Sequence, residues 1–319
     1  LASKRIVPPS QLASALGQVD LGDAANIAII VGGVAENGPH AAAIRKAAGE
    51  FAAAKGAKLC RIPQGANALG LAKHGVLPVS RDAQSMLSQP RAAYVLHGIE
   101  PGLDFADQLV ALKALGGAQV VALSQFACQS TRRVADVILP IGALPEVDAT
   151  LTNLEGRDQA ASAAGKVPGQ AQPGWRALRA LGGVLGVPGF EFTDLAGLRA
   201  GLAPKAVQVM AGNAPAAPGA GLEVATSQAI YRIDAVTRRA EALQAHPLNA
   251  GPRVLLNPAD AAGAGLVDGA MAKLATTSGT ATLPVVIDDR VAAGCLWVES
   301  GHGATAPLAA AVAAEVTRA

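Results

Sequence analysis

Short apolar runs alternate with helical patterns over residues 27–140, the arrangement that places parallel strands in a sheet wrapped by helices. Residues 27–31 (IAIIV), 57–62, 92–97, 119–123 and 137–139 have the length and aliphatic character of buried strands. After the first of them, Asn37 is placed to cap a helix with Pro39 in its first turn. Ile44, Ala47, Ala48 and Phe51 fall on one face of that helix, and Lys55 and Gly56 end it. Asp104 reads as the cap of another helix, whose Phe105, Leu109 and Leu112 share a face and which Gly116 and Gly117 stop. A last helix is expected over 175–185, ended by Gly186 and Pro188.

The pattern weakens between 193 and 250. Residues 214–221 are so rich in Ala, Pro and Gly that they read as a linker, and 230–243 retain apolar spacing as a helix with Arg238 and Arg239 on a solvated face. From Val254 onward short strands dominate. Asn257 caps a one-turn helix with Pro258 at its first position, Gly265 closes it, and Asp268-Gly269 makes a turn. Residues 271–276 and 281–287 flank a Ser278-Gly279 turn as a hairpin, and 295–298 form a further strand. A small barrel is the natural closure for such strands, because closure removes exposed edges. The expected organisation is therefore a remnant of a preceding domain over 1–24, a Rossmann-like α/β domain with a parallel sheet over 25–192, a linker and helix over 193–250, and a β-barrel-like domain over 251–319.

Composition narrows the function classes. Of 319 residues, 51% are hydrophobic and 16% charged, which fits a packed globular protein and excludes a disordered one. A net charge of +2 with scattered Lys and Arg carries no footprint for nucleic acid or an anionic bilayer, and the longest uncharged stretch is broken by Gly212, Pro215, Pro218 and Gly219. Residues 1–21 lack the basic start and apolar core of a signal peptide. Cys60, Cys128 and Cys295 are too far apart for a spaced zinc or iron-sulfur ligand set, so a reducing cytoplasm is expected.

Candidate chemistry is sparse. The turn after the first strand, Gly32-Gly33-Val34-Ala35-Glu36-Asn37-Gly38-Pro39, lacks dinucleotide-fingerprint spacing. It misses a phosphate loop because Pro39 and His40 replace the Lys and hydroxyl residue that would hold phosphate and magnesium. His40, His74, His97, His246 and His302 stand apart from one another and from metal-ligand partners, and no nucleophile elbow accompanies them.

The informative stretch is Ala135-Asp136-Val137-Ile138-Leu139-Pro140 followed by Glu146, Thr150, Asn153, Glu155, Gly156, Arg157 and Gln159. Such a concentration of polar groups after a buried strand can clasp a long loop to its domain, with Glu146 or Glu155 pairing with Arg157, or it can border a cofactor. In the clasp reading Arg157 anchors a buried carboxylate. The run A-D-V-x-L-P, then E, T, N, E and R-x-Q, resembles the signature of molybdopterin oxidoreductases and their relatives. Within that superfamily residues 178–190 (LRALGGVLGVPGF), 230–244 (IYRIDAVTRRAEALQ) and 255–267 are similar to the large iron-sulfur subunit of respiratory NADH-quinone oxidoreductases. Ala149 departs from the pattern, which usually has Gly before Thr150.

The resemblance implies the C-terminal portion of an iron-sulfur subunit whose clusters lie in N-terminal domains. This portion is then expected to hold no cofactor and to contact the other subunits of the peripheral arm on the cytoplasmic side of the membrane, without inserting into it. The alternative it implies is a piece of a working molybdenum oxidoreductase such as a formate dehydrogenase, with Glu146, Asn153, Arg157 and His302 near the pterin. The stretch 299–305 offers His302 and no Arg or Lys for a large anion, which favours the cofactor-free reading.

Overall fold

A computed structural model describes residues 4–76, 81–204 and 219–319. The first strand, β1 (Ala28–Val31), runs parallel to β2 (Lys58–Arg61) with Ile29 opposite Leu59, and helix Ala41–Lys55 crosses between them. Ile44 and Ala48 bury against Val31, and Gly56 ends the helix at φ 62°, a conformation that favours glycine. Asn37 does not cap this helix. A short helix, Gly33–Asn37, intervenes; the Asn37 amide donates to the Gly33 carbonyl, and His40 occupies the cap position.

A second parallel sheet carries β3 (Ala93–His97), β4 (Gln119–Ser124) and β5 (Val137–Pro140) in that order. The α/β character expected over 27–140 is present, with its parallel strands divided between two sheets. Helix Gln108–Gly116 packs on one face of the second sheet. Leu115 meets Leu96, Val120 and Ala122 in one cluster, while Ala111 and Ala114 pack with Leu87 in another. Its cap is Asp107, whose carboxylate accepts from the Val110 N–H. Asp104 is not the cap, because its carboxylate is engaged by the Glu100 N–H and by Arg238; the buried helix face is correspondingly Ala111, Ala114 and Leu115, and Leu109 is exposed. The long polar loop after β5 contains an antiparallel hairpin, β6 (Ala149–Thr152) with β7 (Asp158–Ala161), followed by helix Gly174–Val184. Gly174 leaves no room for a side chain against the His97 imidazole, so this helix begins on the sheet face opposite Leu115.

Six strands close a barrel: β8 (Leu222–Gln228), β9 (Val254–Leu256), β10 (Met271–Thr276), β11 (Gly279–Ile287), β12 (Cys295–Ser300) and β13 (Ala313–Arg318), in the order β10-β11-β9-β12-β8-β13 with β13 returning to β10. Asn257 caps helix Pro258–Gly263 by accepting from the Ala259 N–H, and the β10–β11 hairpin turns at Gly279. Strand β8 lies upstream of residue 251, inside the stretch that the sequence pattern assigns to a linker and helix. Its polar residues Glu223, Thr226 and Ser227 mask it, and only the distant partners β12 and β13 make it a strand. The expected linker at 214–221 lies outside the described residues except for its last three. At Gly221, φ is 108° and a Cβ would strike the Ala314 backbone, so glycine is required where β8 meets β13.

No continuous helix forms over 230–243. Asp234 accepts from the Val236 and Thr237 N–H groups, breaking the run into turns Ile230–Arg232 and Thr237–Arg239 before helix Glu241–Gln244. Arg238, expected on a solvated face, is buried. Among the described residues no helix is long and apolar enough to cross a membrane.

Candidate functional site at the strand ends

In open α/β sheets, ligands gather outside the carboxyl ends of the strands. At the end of β1 the short helix Gly33–Asn37 carries Glu36, which is buried. Arg61, the last residue of β2, grips it with two bonds, Nε to Oε1 at 2.7 Å and Nη2 to Oε2 at 2.9 Å. Arg45 donates to the Glu36 carbonyl at 3.0 Å and lies 3.5 Å from its Oε2. The hydrogen bond from Arg61 outweighs burial and holds the Glu36 carboxyl below the usual carboxylate range. The turn that reads as a failed phosphate loop thus supplies an anion instead of receiving one.

A second, larger arrangement lies beyond β3 and β4. Glu100, in the loop after β3, is 1% exposed and accepts from Arg238 Nε at 2.8 Å and from Arg239 Nη2. Arg238 also donates through Nη2 to Asp104 at 3.0 Å, and Arg239 stacks on Phe126, 4.1 Å from the ring centroid. Burial pushes the Glu100 carboxyl up, but the Arg239 and Arg238 guanidiniums reverse this and leave it below the usual range. Arg232 donates to the Gly301 carbonyl and to Gln244 Oε1. Glu100, Arg232, Arg238 and Arg239, with Gly102 and Ser130, line a crevice of about 440 Å³.

A third polar contact joins the first sheet to the barrel. Glu223 of β8 accepts from the Ser10 N–H and Oγ at 2.8 and 2.6 Å, and His40 Nε2 lies 3.4 Å from it. His40 therefore has a carboxylate neighbour 183 positions away, which linear spacing cannot show. His302, buried on the barrel, has no hydrogen-bond partner at Nε2, and burial together with the nearby Arg232 pushes its pKa down.

The signature residues have local jobs. Asp136 accepts from the Val120 N–H at 2.7 Å and ties β5 to β4; Glu146 accepts from the Ala143 N–H at 2.8 Å in a 3-10 turn. Thr150 lies on β6 opposite Ala160, and Asn153 Oδ1 accepts from the Glu155 and Arg157 N–H groups in the β6–β7 turn. The Arg157 and Glu155 side chains are about three-quarters exposed and 3.9 Å apart. Arg157 accordingly anchors no buried carboxylate, because the hairpin holds it out in solvent. Asn153 and Arg157 bond to each other only within the β6–β7 turn, and among the described residues no hydrogen bond links them to Glu146 or His302.

The residues brought together are Glu36 with Arg61 at one sheet, and Glu100 and Asp104 with Arg238 and Arg239 at the other, none of them predicted as a site. The adjacent pair Arg238-Arg239 was visible, but its carboxylates are more than 130 positions away. Among the described residues no cluster of three or more His, Cys, Asp or Glu could hold a metal ion. The cysteines stay apart: Cys60 is exposed, Cys128 half-buried, and Cys295 buried, with burial pushing its thiol to about 12.

Two family models match this chain: molybdopterin oxidoreductase over residues 12–184 and molydopterin dinucleotide binding domain over 222–318. The fold is similar to acetylene hydratase from Pelobacter acetylenicus, with a TM-score of 0.52 and 16% identity. That match covers 74% of this chain and 43% of the hydratase, so the chain spans less than half of that protein, and at this identity the likeness is one of fold alone. No curated protein matches the sequence. With the first model covering more than half of its length and the second taking in the six barrel strands, the chain belongs to the molybdopterin oxidoreductase family.

Proposed function

We propose that this chain is a structural and partner-binding portion of the electron-input arm of an NADH-quinone oxidoreductase, similar to the large iron-sulfur subunit of those enzymes, and that it carries no cofactor of its own. The observation that carries this reading is the state of the arginines at the strand ends. A dinucleotide brings a pyrophosphate, which needs unpaired cations or free N–H donors. Here Arg61, Arg238 and Arg239 are already bonded to Glu36, Glu100 and Asp104. These residues do not fit such a group.

In this reading the iron-sulfur clusters that carry electrons from NADH toward quinone lie elsewhere in the subunit, and the other subunits of the peripheral arm are the partners, on the cytoplasmic face of the membrane. The alternative is a portion of an active molybdopterin-dependent oxidoreductase such as a formate dehydrogenase. The match to a dinucleotide-binding model favours it, as does Arg232, which faces the crevice with only neutral hydrogen-bond acceptors. Metal and pterin analysis of the protein purified from its native source separates the two. Absence of molybdenum, tungsten and pterin, with co-purification of an NADH-oxidising complex, is the expected result; stoichiometric metal and extractable pterin would overturn it.

A further inference from the structure

We infer that Glu100 and Asp104 are built-in counter-anions standing where a ligand's phosphates would sit, so that the crevice beside them is a latent diphosphate site, closed by the protein's own carboxylates. The inference rests on the cofactor-free reading and names the residues that enforce it. Carboxylate and phosphate present the same chemistry to a guanidinium, a pair of oxygens spaced for its fork. Glu100 fills that role twice over, with one oxygen on Arg238 and the other on Arg239, and Asp104 takes the remaining edge of Arg238.

The charges do not balance within the crevice. Arg232, Arg238 and Arg239 line it with Glu100, while Asp104 bonds Arg238 from beyond the lining, and burial together with Arg238 pushes the Arg232 pKa down, as expected of a cation crowded by another. The volume of about 440 Å³ lies in the range of small-ligand sites, roughly 300 to 1,000 Å³, and exceeds what a pyrophosphate needs. The Ser130 hydroxyl, 3.2 Å from Cys128 Sγ, also lines the crevice. What keeps an anion out is not a lack of space or of cations but the two carboxylates already seated on Arg238 and Arg239. The same logic recurs on the other sheet, where Glu36 occupies Arg61 and Arg45.

Neutralising the internal anion should therefore open the site. The test compares the full chain with its Glu100→Gln variant by thermal melting in inorganic pyrophosphate, against sodium chloride at matched ionic strength. The wild type should show no response beyond the salt control. The variant should melt lower and then regain at least roughly 3 °C, saturably, as pyrophosphate replaces the missing charge. An equal response in both proteins, or none in a folded variant, would overturn the inference. If Glu100→Gln does not fold, Asp104→Asn, at a side chain 19% exposed, takes its place with a smaller shift in the same direction expected, and no shift counts against the inference. Pterin in the native protein would sink both this inference and the reading it rests on, whereas failure of the pyrophosphate response would sink this one alone.

Discussion

In the barrel, Leu256, Leu274, Leu283 and Leu296 are at most 1% exposed, whereas in the parallel sheets Ile30 is 68%, Val95 49% and Val137 47% exposed. The barrel closes every edge and fills its own interior, so its strands need nothing from outside. Parallel sheets are normally covered on both faces. These two are covered well on one, by helix Ala41–Lys55 and by helix Gln108–Gly116, and the clusters beneath those helices are small. Beside apolar contacts such as Leu109 against Gly279, polar groups tie them to the rest of the molecule: Glu100 and Asp104 to the segment bearing Arg238, and Glu223 to Ser10 and His40. One half is held by a large apolar core, the other by smaller apolar clusters with charge pairs added at its strand ends.

The contrast breaks most directly at Glu100. Glu100→Gln leaves two guanidiniums short of their buried partner and should cost about 3–5 kcal/mol in urea unfolding; a loss below about 1 kcal/mol would deny the ion pairs their structural role. In the barrel Leu274→Ala should cost about 2–5 kcal/mol through the cavity it leaves, and the loss should be the same at pH 7 and pH 5.

Acid sharpens the difference. Glu36 and Glu100 have carboxyls held below their usual range, so their stabilisation is present above the unfolded value of about 4.3 and is lost as pH falls through it toward the folded values. Amides of β3 and β4 should therefore gain hydrogen exchange on acidification before those of β10 and β11, and simultaneous loss of protection would contradict the account. Removing the Asn257 cap by Asn257→Ala should cost about 1 kcal/mol, confined to the barrel. Arg157→Ala, in an exposed turn, should change stability by less than about 0.5 kcal/mol in the same urea titration.

Local signals were legible where a residue acts on its own neighbours. Gly56, the Asn257 cap, the β10–β11 hairpin and the short aliphatic strands all declare themselves through periodicity and turn chemistry, although the first-domain strands expected to be buried, such as β2, are largely exposed. Strand β8 did not, because three of its seven positions carry Glu or hydroxyl side chains and its pairing partners lie some 70 to 90 positions downstream. The signature loop named the family, yet its Glu146, Asn153 and Arg157 serve turns and a hairpin. The strand-end arrangement was hidden for a physical reason. A guanidinium and a carboxylate separated by 138 residues leave no periodic trace, and Arg238 in isolation has the look of any surface arginine.

Whether internal carboxylates have replaced a ligand is tested by titrating guanosine diphosphate into the wild-type protein in a calorimeter at neutral pH and low salt. The account predicts no saturable heat at millimolar nucleotide, because Arg61, Arg238 and Arg239 are already taken. Stoichiometric binding that Arg238→Gln or Arg232→Gln abolishes would contradict it.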